Sequence, residues 1–558
     1  MARRLRDSSQ ETLDEDYRVL EKCPFCQTKG VHVHYDETTH RLVHRCHTPQ
    51  CHSGGDLPFY VVDTEIYRYL PSVIVSTIDK FALIGVQASF RNILGEVRTL
   101  CPRHGYSSRL RCTERICDVP MELHKAMSLK DGAPTLMIQD ELHLVRESLG
   151  AYDAHYETLL ELFYQELNSS NKSLKVIGAT ATITGYQEQL YHLHMKEGMV
   201  FPAPSPYLDR SFYAEVNRNQ LAQLILGHAP YGQAMVSSVG NSIRYMREIL
   251  WEQYENTDEM VEFLDLESRE EALEILANYW VFIQYNTVKK DGNLVIGNIE
   301  SQANVELIDR GMQPFDVRRM TGDDSFQDVR RILEEIGSAA GSLAGPNLIC
   351  ATSMISHGVD ENRFNVMYFF GMPNNTAEYL QAYSRVGRKF PGIAIVVMRV
   401  PREKDRSYLK NVLPFHEFKD ILIEPVPINR WASKAIDRSF PGVLSGILIN
   451  YFDLELQYVY GHIYGMRSLQ KAIEAGDIPR ERVKQLVKAA YKTEVDIFGR
   501  AYARKTNRLV DEFYTRVVAE DFTAEPYCCI SRGLQRLGLG HPMRSLRDTD
   551  IPVKIELA

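Results

Sequence analysis

Two groups of residues in this chain of 558 residues have the types and spacing that phosphoryl transfer requires. The first is the pair Asp140-Glu141, which follows the apolar run 135–138. Ligands of open α/β sheets bind at the carboxyl ends of such buried strands. We therefore expect Asp140 to hold a Mg²⁺ ion and Glu141 to activate the water that attacks a phosphate. The alternative is that both acids only open a helix, where negative charge favours the helix dipole.

The second group lies in the segment 381–388, which reads Gln-Ala-Tyr-Ser-Arg-Val-Gly-Arg. Arg385 and Arg388 can present two guanidinium groups to one phosphate, a ligand that arginine binds through paired hydrogen bonds. Gln381 precedes Arg385 by about one helical turn. The alternative, a solvated basic helix end, is disfavoured because Ala351-Thr352 and Gly358-Val359-Asp360 precede the arginines in the order of an ATP-driven motor.

The usual phosphate-binding loop of such a motor is missing from the sequence. This loop ends in Gly-Lys-Ser or Gly-Lys-Thr and surrounds the phosphates with backbone N–H groups. Neither tripeptide occurs in the chain. We therefore expect either that another polypeptide supplies the loop or that this part of the motor was left out of the sequence.

Seven of the ten cysteines lie within the first 117 residues, in two clusters with metal-ligand spacing. In a reducing cytoplasm such clusters indicate metal binding more than disulfide bonds. The module 23–51 has a zinc-ribbon arrangement with four candidate ligands: Cys23, Cys26, Cys46 and Cys51. Its histidines are alternative ligands or surface residues: His44, His47 and His52.

The module 101–117 has the same two-part form with one histidine among its candidate ligands: Cys101, His104, Cys112 and Cys117. Both sites are expected to be structural, because four protein ligands leave no position for a reacting water. Free buried thiols are the alternative for the first cluster, and a turn histidine is the alternative for His104. The remaining cysteines are expected to be small buried apolar side chains: Cys350, Cys528 and Cys529.

Two sets of strands are needed to position the reactive groups. Strands predicted at 73–77, 135–139 and 174–177, with a helix reaching about residue 168, indicate a first parallel α/β sheet. Strands predicted at 280–285, 347–352, 366–370 and 393–398 indicate a second one. A hairpin strand is predicted at 31–35, and the region beyond about residue 415 shows helical periodicity, for example at 480–490.

These ordered motifs resemble those of superfamily 2 helicases over residues 60–400. The resemblance covers motif Ib at Thr77, motif II at 140–143, motif III at 180–182, motif V at 351–360 and motif VI at 381–388. Ser384 replaces the glycine usual in motif VI.

The resemblance implies specific roles for several residues. It implies nucleic-acid contacts by Thr77 and Thr352, and ATP contacts by Gly358 and Asp360 in addition to Asp140 and the two arginines. The residues that would couple hydrolysis to strand movement are His143, Thr180 and Thr182, together with Gln381. Basic clusters at 103–111 and 318–319 are either further phosphate contacts or solvated surface.

A narrower resemblance connects the chain to the helicase-like components of the bacterial DISARM anti-phage systems. Similar segments lie at 77–82, 101–105, 373–381, 415–418 and 435–438. This resemblance implies ATP and Mg²⁺ as cofactors beside Zn²⁺, and DNA and other defence proteins as partners. Such proteins normally carry the phosphate-binding loop in a longer N-terminal half, and this chain departs from them there. The departure suggests a split gene or a separate partner chain with the N-terminal, phosphate-binding half of the motor.

The predicted fold is α/β, with two RecA-like parallel-sheet lobes, of which the first is incomplete, zinc-ribbon-like insertions and a helical C-terminal region. The expected domains are a connector at 1–22, the partial first lobe at 23–200, a connecting region at 201–274, the second lobe at 275–400 and the helical region at 401–558. We expect a cytoplasmic protein without membrane contact, because no apolar run is long enough to span a bilayer and the N-terminus lacks an apolar signal segment.

Two functional hypotheses follow. The first is the larger part of an ATP-dependent DNA helicase or translocase, with an ATP site formed by residues of both lobes. The second is a non-catalytic DNA-binding scaffold with a helicase-like fold. The net charge of −9 does not decide between them, because many motors bind DNA in a local channel beneath an acidic surface.

Overall fold

The structure is a computed structural model, and contacts between residues divide it into two compact units. Unit 1 comprises residues 1–180, 185–198 and 426–558, and unit 2 comprises residues 181–184 and 199–425. The structure describes residues 5–114, 117–130, 132–167, 174–180, 184–203, 205–207, 210–217, 219–324, 326–339, 341–356, 359, 361–419, 421–461, 463–525 and 527–547. Three predicted site residues lie outside these described residues: Thr182, Gly358 and Asp360.

The described strands of unit 1 form three small sheets. They are β1 (Val31–Asp36), β2 (Arg41–Cys46), β3 (Thr99–Cys101), β4 (Gly105–Ser107), β5 (Lys125–Ala126), β6 (Leu136–Gln139) and β7 (Lys175–Gly178). β1 and β2 form an antiparallel hairpin, β3 lies between β4 and β5, and β6 pairs with β7 in parallel. The strands predicted at 31–35, 135–139 and 174–177 are therefore confirmed.

The helices of unit 1 come from both ends of the chain. The α-helices are Gln10–Tyr17, Asp63–Tyr69, Glu147–Leu167, Tyr186–His194, Ser433–Ile447, Asp453–Tyr460, Met466–Glu474, Arg480–Tyr491, Ile497–Ala519 and Ile530–Arg536. Shorter 3₁₀ segments are Ile78–Gly85, Ala88–Asn92, Met121–Leu123 and Leu142–Leu144, and Leu448–Phe452 is a π-helix. The main core surrounds the helix Glu147–Leu167, where residues on almost every side are buried.

Buried polar contacts tie the C-terminal helices to the N-terminal part of unit 1. Arg430 is fully buried and donates to the carbonyl of His192 at 2.9 Å and to Thr158 Oγ1 at 2.9 Å. Arg91 and Asp453 form a fully buried ion pair at 3.1 Å. The predicted C-terminal region is therefore helical as expected, but from Val426 onward it packs into the same unit as the zinc modules.

Unit 2 is built around one parallel sheet of six strands among its described residues. The strands are β8 (Gln223–His228), β9 (Val281–Asn286), β10 (Val317–Met320), β11 (Leu348–Ala351), β12 (Phe364–Phe370) and β13 (Gly392–Val397). Their order is β10-β11-β9-β12-β13-β8. Every residue of β9, β11 and β12 is buried, as expected for central strands of a parallel sheet.

Helices cover this sheet and connect its strands. The α-helices are Met235–Glu255, Thr257–Leu264, Arg269–Tyr279, Lys289–Asn298, Asn304–Asp309, Phe326–Ser338, Thr376–Tyr383, Glu403–Lys410 and Val412–Glu417, with a π-helix at Ile299–Ala303 and a 3₁₀ segment at Ser353–Ser356. The predicted second α/β unit is confirmed. The segment 201–274, predicted as a connection, contributes the edge strand β8 and helices that pack beside the sheet.

The strand predicted at 73–77 is wrong. These residues form no regular element, and the side chains of Val73 and Val75 are 78% and 91% exposed. A strand forms only where a neighbour satisfies its backbone groups. Among the described residues, no strand pairs with this segment.

Candidate nucleotide and metal sites

The acidic pair lies where the sequence predicts it, at the carboxyl end of β6. The backbone N–H of Ala179 donates to the carbonyl of Gln139 at 2.8 Å, and that of Leu142 donates to the carbonyl of Ala179 at 2.9 Å. The turn after β6 is therefore tied to the end of β7. Asp140 is exposed, and its Oδ1 accepts a hydrogen bond from the N–H of Glu141 at 2.9 Å.

Glu141 has a backbone conformation that is uncommon outside glycine, with φ of +53°. Such conformations are concentrated at functional sites. Its Oε2 lies 3.4 Å from Nδ1 of His143, which is buried, and the same nitrogen lies 3.3 Å from Oγ1 of Thr180. Asp140, Glu141, His143 and Thr180 are thus gathered at one edge of the β6–β7 pair, as a metal-binding and water-activating site requires.

A buried acidic residue supports this turn, although the sequence pattern did not identify it as a site residue. Asp153, on the helix Glu147–Leu167, accepts a hydrogen bond from Gln139 Nε2 at 3.1 Å, and both side chains are buried. Burial raises the pKa of Asp153 to about 7. Burial also raises the pKa of Glu157, one helical turn further, well above its usual value. The available signal was a row of acids spaced four apart among apolar residues of the helix: Asp153, Glu157 and Glu161.

The arginine segment in unit 2 forms a turn that follows the helix Thr376–Tyr383. Gln223, on β8, holds this turn through its Nε2, which donates to the carbonyls of Tyr383 at 3.0 Å and Val386 at 2.6 Å. Arg385 Nη1 donates to the carbonyl of Val359 at 3.5 Å. The backbone of the turn is thus fixed between β8 and the helix.

Gly387 is required between the two arginines. Its φ is +82°, and a Cβ atom there would lie 2.7 Å from the backbone nitrogen of Gly392 and 2.9 Å from the carbonyl oxygen of Ala222. Arg388 is exposed, Arg385 is half-buried, and the side chain of Gln381 is buried one turn earlier. The predicted residues Gln381, Arg385 and Arg388 therefore lie on one short, rigid segment.

The two predicted nucleic-acid contacts lie in different units. Thr77, in unit 1, is exposed in an extended conformation, and its carbonyl accepts from the N–H of Lys80 at 3.1 Å at the start of Ile78–Gly85. Thr352, in unit 2, follows β11 directly, and its N–H donates to the carbonyl of Met320 at 3.3 Å. Thr77 is thus the last residue of the segment 73–77, and Thr352 is the first residue after β11.

A buried polar network lies beside Thr352 and was not anticipated. Asn286 Nδ2 donates to Gln284 Oε1 at 2.5 Å, and Cys350 Sγ lies 3.0 Å from the same oxygen. Burial raises the pKa of Cys350 to about 12, so the residue is a neutral thiol. Cys350 and Cys528 are buried as predicted, whereas Cys529 is exposed, which corrects the prediction for this residue.

The first cysteine cluster has the geometry of a tetrahedral thiolate site. Cys23 Sγ lies 3.6 Å from Cys51 Sγ, and Cys26 Sγ lies 3.8 Å from Cys46 Sγ. Four sulfurs around zinc, each about 2.3 Å from the ion, are separated by about 3.8 Å. The hydroxyl and backbone N–H of Thr28 lower the pKa of Cys26 to about 6, which favours the thiolate that a metal binds.

The histidines of this module do not join its four sulfurs. His44 is fully buried, contrary to a surface position, and its Nε2 accepts from the N–H of Val19 at 3.2 Å. His47 Nε2 lies 2.8 Å from His34 Nε2, and His52 is exposed. The four predicted cysteines therefore remain the ligand set.

The second cluster converges in the same way. His104 Nδ1 lies 3.6 Å from both Cys101 Sγ and Cys112 Sγ, and Cys101 Sγ lies 3.9 Å from Cys117 Sγ. His104 is buried and aimed at the sulfurs, as a ligand requires. The chemistry and spacing of these groups fit a zinc ion with three sulfur ligands and one nitrogen ligand.

Two arginines of the basic clusters 103–111 and 318–319 form ion pairs with carboxylates. Arg103 forms an ion pair with Asp118, and Arg318 pairs with Asp316 at 2.7 Å. These pairs are exposed and contribute little to stability. In the described part of the chain, no helix combines the length and apolar character needed to cross a lipid bilayer.

The comparisons with known proteins agree with this geometry. Residues 272–390, which include β9 to β12 and the arginine turn, match the helicase conserved C-terminal domain. Over 535 residues the chain is 27% identical to the DISARM protein DrmA of Bacillus paralicheniformis. This match covers 91% of the chain and 45% of the relative, so the chain spans about half the length of DrmA.

Solved helicase structures are also similar to parts of the chain. The crystal structure of the DUF1998 helicase MrfA bound to DNA is 15% identical, with a TM-score of 0.37, covering 57% of this chain and 36% of that protein. The DEAD-box helicase Mss116 bound to single-stranded RNA and UDP-BeF is 11% identical, with a TM-score of 0.31, covering 64% of this chain and 60% of that one.

The sheet of unit 2 and the match over residues 272–390 indicate a RecA-like lobe similar to the helicase conserved C-terminal domain, and the chain resembles superfamily 2 helicases. Within that class, the chain resembles the DISARM protein DrmA. The predicted fold class and both levels of the predicted resemblance are confirmed.

Proposed function

We propose that this chain is a subunit of an ATP-dependent DNA helicase or translocase in a bacterial anti-phage defence system. The observation that carries the proposal is the site at the end of β6. There, Asp140 and Glu141 lie beside His143 and Thr180, on a turn whose backbone is bonded to the end of β7. A scaffold has no physical need for this arrangement together with the rigid arginine turn of unit 2.

The residues divide the chemistry of ATP hydrolysis among them. Asp140 would hold a Mg²⁺ ion, which would supply positive charge to the phosphates of ATP. Glu141 orients the attacking water and accepts its proton. Arg385 and Arg388 donate hydrogen bonds to the γ-phosphate oxygens as negative charge develops on them, with Gly358 and Asp360 contributing to the same nucleotide.

Contacts to DNA are proposed for Thr77 and Thr352. Their hydroxyl and neighbouring backbone N–H groups bind phosphate oxygens, so the protein binds DNA without sequence preference. His143, Thr180, Thr182 and Gln381 transmit the state of the nucleotide to these contacts. His143 and Thr180 are suited to this role because they bridge the acidic turn and the end of β7.

The phosphate-binding loop is proposed to come from a polypeptide outside these 558 residues. The support is chemical, because the acidic pair and the arginines act on phosphates that no Gly-Lys-Ser or Gly-Lys-Thr of this chain can hold. Other defence proteins are further proposed partners. We place the complex in the cytoplasm, where its DNA substrate lies and where thiolates stay reduced.

Both cysteine clusters are proposed to bind one Zn²⁺ each in a structural role. The support is the convergence of four ligands at each site, which leaves no position for a reacting water. When bound, the ions supply folding free energy to small modules that have few buried apolar residues.

The decisive experiment measures DNA-stimulated ATPase activity of this chain alone and after co-expression with the neighbouring polypeptide that carries the Gly-Lys-Ser/Thr loop. We expect activity only from the pair, and its loss with Glu141→Gln in this chain. Lack of activity in both samples, with DNA binding intact, would favour the second candidate function. That function is a non-catalytic DNA-binding scaffold, and the missing phosphate loop is the observation in its favour.

A further inference from the structure

Histidines are concentrated around the first cysteine cluster. Six of the 17 histidines of the chain lie between positions 32 and 52: His32, His34, His40, His44, His47 and His52. The ligand set of this module consists of four cysteines and uses none of them. Imidazole is the commonest metal ligand in proteins, so the accessible members of this group are candidates for a separate site.

The hairpin β1–β2 brings three of these imidazoles together on one face. His32 and His34 are two residues apart in β1, so their side chains share a face. The register pairs His32 with Arg45, and His47 lies two residues after Arg45. The ring centroid of His47 lies 5.0 Å from that of His34 and 5.1 Å from that of His32.

This face is distinct from the one that carries the zinc ligand of β2. Cys46 is paired with Val31, and both are buried, whereas the neighbouring pair of His32 and Arg45 points to the opposite face. The sulfur cluster and the three imidazoles therefore lie on different faces of the hairpin.

Two of the rings direct nitrogens at each other. Nε2 of His34 lies 2.8 Å from Nε2 of His47. With metal–nitrogen bonds of about 2.0 to 2.1 Å, two ligands at a right angle are separated by about 2.8 to 3.0 Å, and two tetrahedral ligands by about 3.3 to 3.4 Å. The pair therefore has the spacing of adjacent ligands in square-planar or octahedral coordination.

The third histidine packs against this pair and is itself fixed. Nδ1 of His32 lies 2.7 Å from Oδ2 of Asp14, and Oδ1 of Asp14 accepts from the N–H of Val33 at 2.7 Å. The Asp14 side chain is only 11% exposed. Because the rings of His32 and His47 meet edge to face, at 85°, a fixed His32 restricts the positions open to the ring of His47.

The charges on this face permit a bound cation. Arg45 is the cation opposite His32, and its guanidinium pairs with the carboxylate of Asp56 at 2.6 Å. Asp14 adds a second carboxylate beside His32. The positive charge of Arg45 is thus compensated before a metal ion arrives.

We propose that His34 and His47 bind one divalent metal ion of the Ni²⁺ or Cu²⁺ class. Imidazole suits these ions, which favour tetragonal geometry, whereas Zn²⁺ favours the tetrahedral angle. On binding, the ring that donates the present hydrogen bond moves its proton from Nε2 to Nδ1, so both Nε2 atoms coordinate. Two protein nitrogens leave the remaining positions to water, and the ion is therefore exchangeable, unlike zinc held by four ligands.

The test titrates Ni²⁺ into the full chain, without a histidine tag and dialysed to two zinc ions per chain. Calorimetry measures the stoichiometry and Kd, and elemental analysis measures the zinc that remains. His34→Ala removes one ligand, and His34→Gln is a second variant that keeps more of the side-chain volume. His52→Ala is the matched control, because His52 is exposed and follows the zinc ligand Cys51 directly.

We expect the wild type and His52→Ala to bind one Ni²⁺ ion that both His34 variants bind at least tenfold more weakly, with two zinc ions retained throughout. Equal binding by the wild type and either His34 variant that retains its zinc overturns the site. Absence of Ni²⁺ binding, or Ni²⁺ that enters only as zinc leaves, overturns it as well.

A parallel titration with Zn²⁺ tests the geometry. The right-angle spacing predicts weaker binding of Zn²⁺ than of Ni²⁺ at this pair, in line with the tetrahedral preference of zinc. Tighter binding of Zn²⁺, abolished in His34→Ala, would overturn the assignment of the metal class. None of these outcomes depends on ATP hydrolysis, so they test the site independently of the proposed function.

Discussion

His143 Nδ1 lies 3.3 Å from Thr180 Oγ1, which joins the turn after β6 to the segment that follows β7. The two residues are 37 positions apart, and each follows a strand that ends at the same sheet edge. The same histidine nitrogen lies 3.4 Å from Glu141 Oε2. A change at the Glu141 carboxylate can therefore reach the end of the neighbouring strand through one side chain.

His143→Ala should uncouple hydrolysis from DNA. The variant removes the bridge but leaves Asp140 and Glu141 in place, so we expect basal ATPase activity of the two-chain complex to remain and stimulation by DNA to fall about 5- to 100-fold. Steady-state ATPase measured with and without DNA checks this. His52→Ala, at an exposed position outside the sheet, should behave as the wild type. Equal losses of basal and stimulated activity would indicate a merely structural role for His143.

Arg385→Ala and Arg388→Ala should each lower ATP turnover of the two-chain complex by about 1,000-fold or more, as expected for arginines that stabilise the transition state. The adjacent Lys389→Ala is the matched control, because Lys389 is exposed and pairs with Glu274 at 3.2 Å. Single-turnover hydrolysis separates this effect from ATP binding. Turnover unchanged in Arg385→Ala would exclude this role for Arg385.

The protein should contain two zinc ions per chain by elemental analysis, since two four-ligand clusters converge. Cys46→Ser should lower the content to one and lower the melting temperature, because the hairpin β1–β2 loses the ion that joins its ends. Cys529→Ser, an exposed cysteine outside both clusters, should retain both ions. Two ions in Cys46→Ser would contradict the ligand assignment.

Asp153→Asn should change how stability depends on pH. The folded pKa of Asp153 is raised from 3.8 to about 7, so between about pH 4 and pH 7 the folded state holds a proton that the unfolded state has lost. Stability of the wild type therefore falls as pH rises through this window, by up to about 1.4 kcal/mol per pH unit. Thermal unfolding should show Asp153→Asn gaining stability relative to the wild type as pH rises. If the stabilities of Asp153→Asn and the wild type change with pH in parallel, the raised pKa assigned to Asp153 is wrong.

Gly387→Ala should destabilise unit 2 by about 2 kcal/mol or more, because the added Cβ meets the backbone of Gly392 and Ala222 in a left-handed conformation. Gly297→Ala is the control. A Cβ there has no atom within 4 Å and the residue is helical, so alanine should be neutral or stabilising. Chemical denaturation followed by intrinsic fluorescence measures both. Equal stability of the two variants would show that the arginine turn tolerates a side chain.

Local sequence patterns were sufficient for much of the fold and the site. The cysteine spacing predicted both four-ligand clusters, because each is built around one short turn or hairpin. The central strands β9, β11 and β12 were predicted because strands buried on both faces are continuously apolar. The acidic pair was correctly placed after β6 because residues 135–138 form an apolar run typical of a strand.

Features that depend on distant neighbours were not predicted. Residues 73–77 have the composition of a strand, but no strand pairs with them among the described residues. Composition alone does not show whether a pairing strand is present. Edge strands β8 and β10 mix polar and apolar residues, so their periodicity is weak. The support of Gln139 by Asp153 depends on packing between a strand and a helix, which residue spacing does not reveal.

The buried pair of Arg91 and Asp453 also has a consequence for synthesis of the chain. Asp453 is translated 362 residues after Arg91, a delay of about 20 to 70 s at bacterial elongation rates. Residues 199–425 of unit 2 are translated within that interval, while the guanidinium of Arg91 and the apolar sides of Glu147–Leu167 still lack their C-terminal partners. Synthesis of the inserted unit 2 is therefore complete before synthesis of the unit that surrounds it.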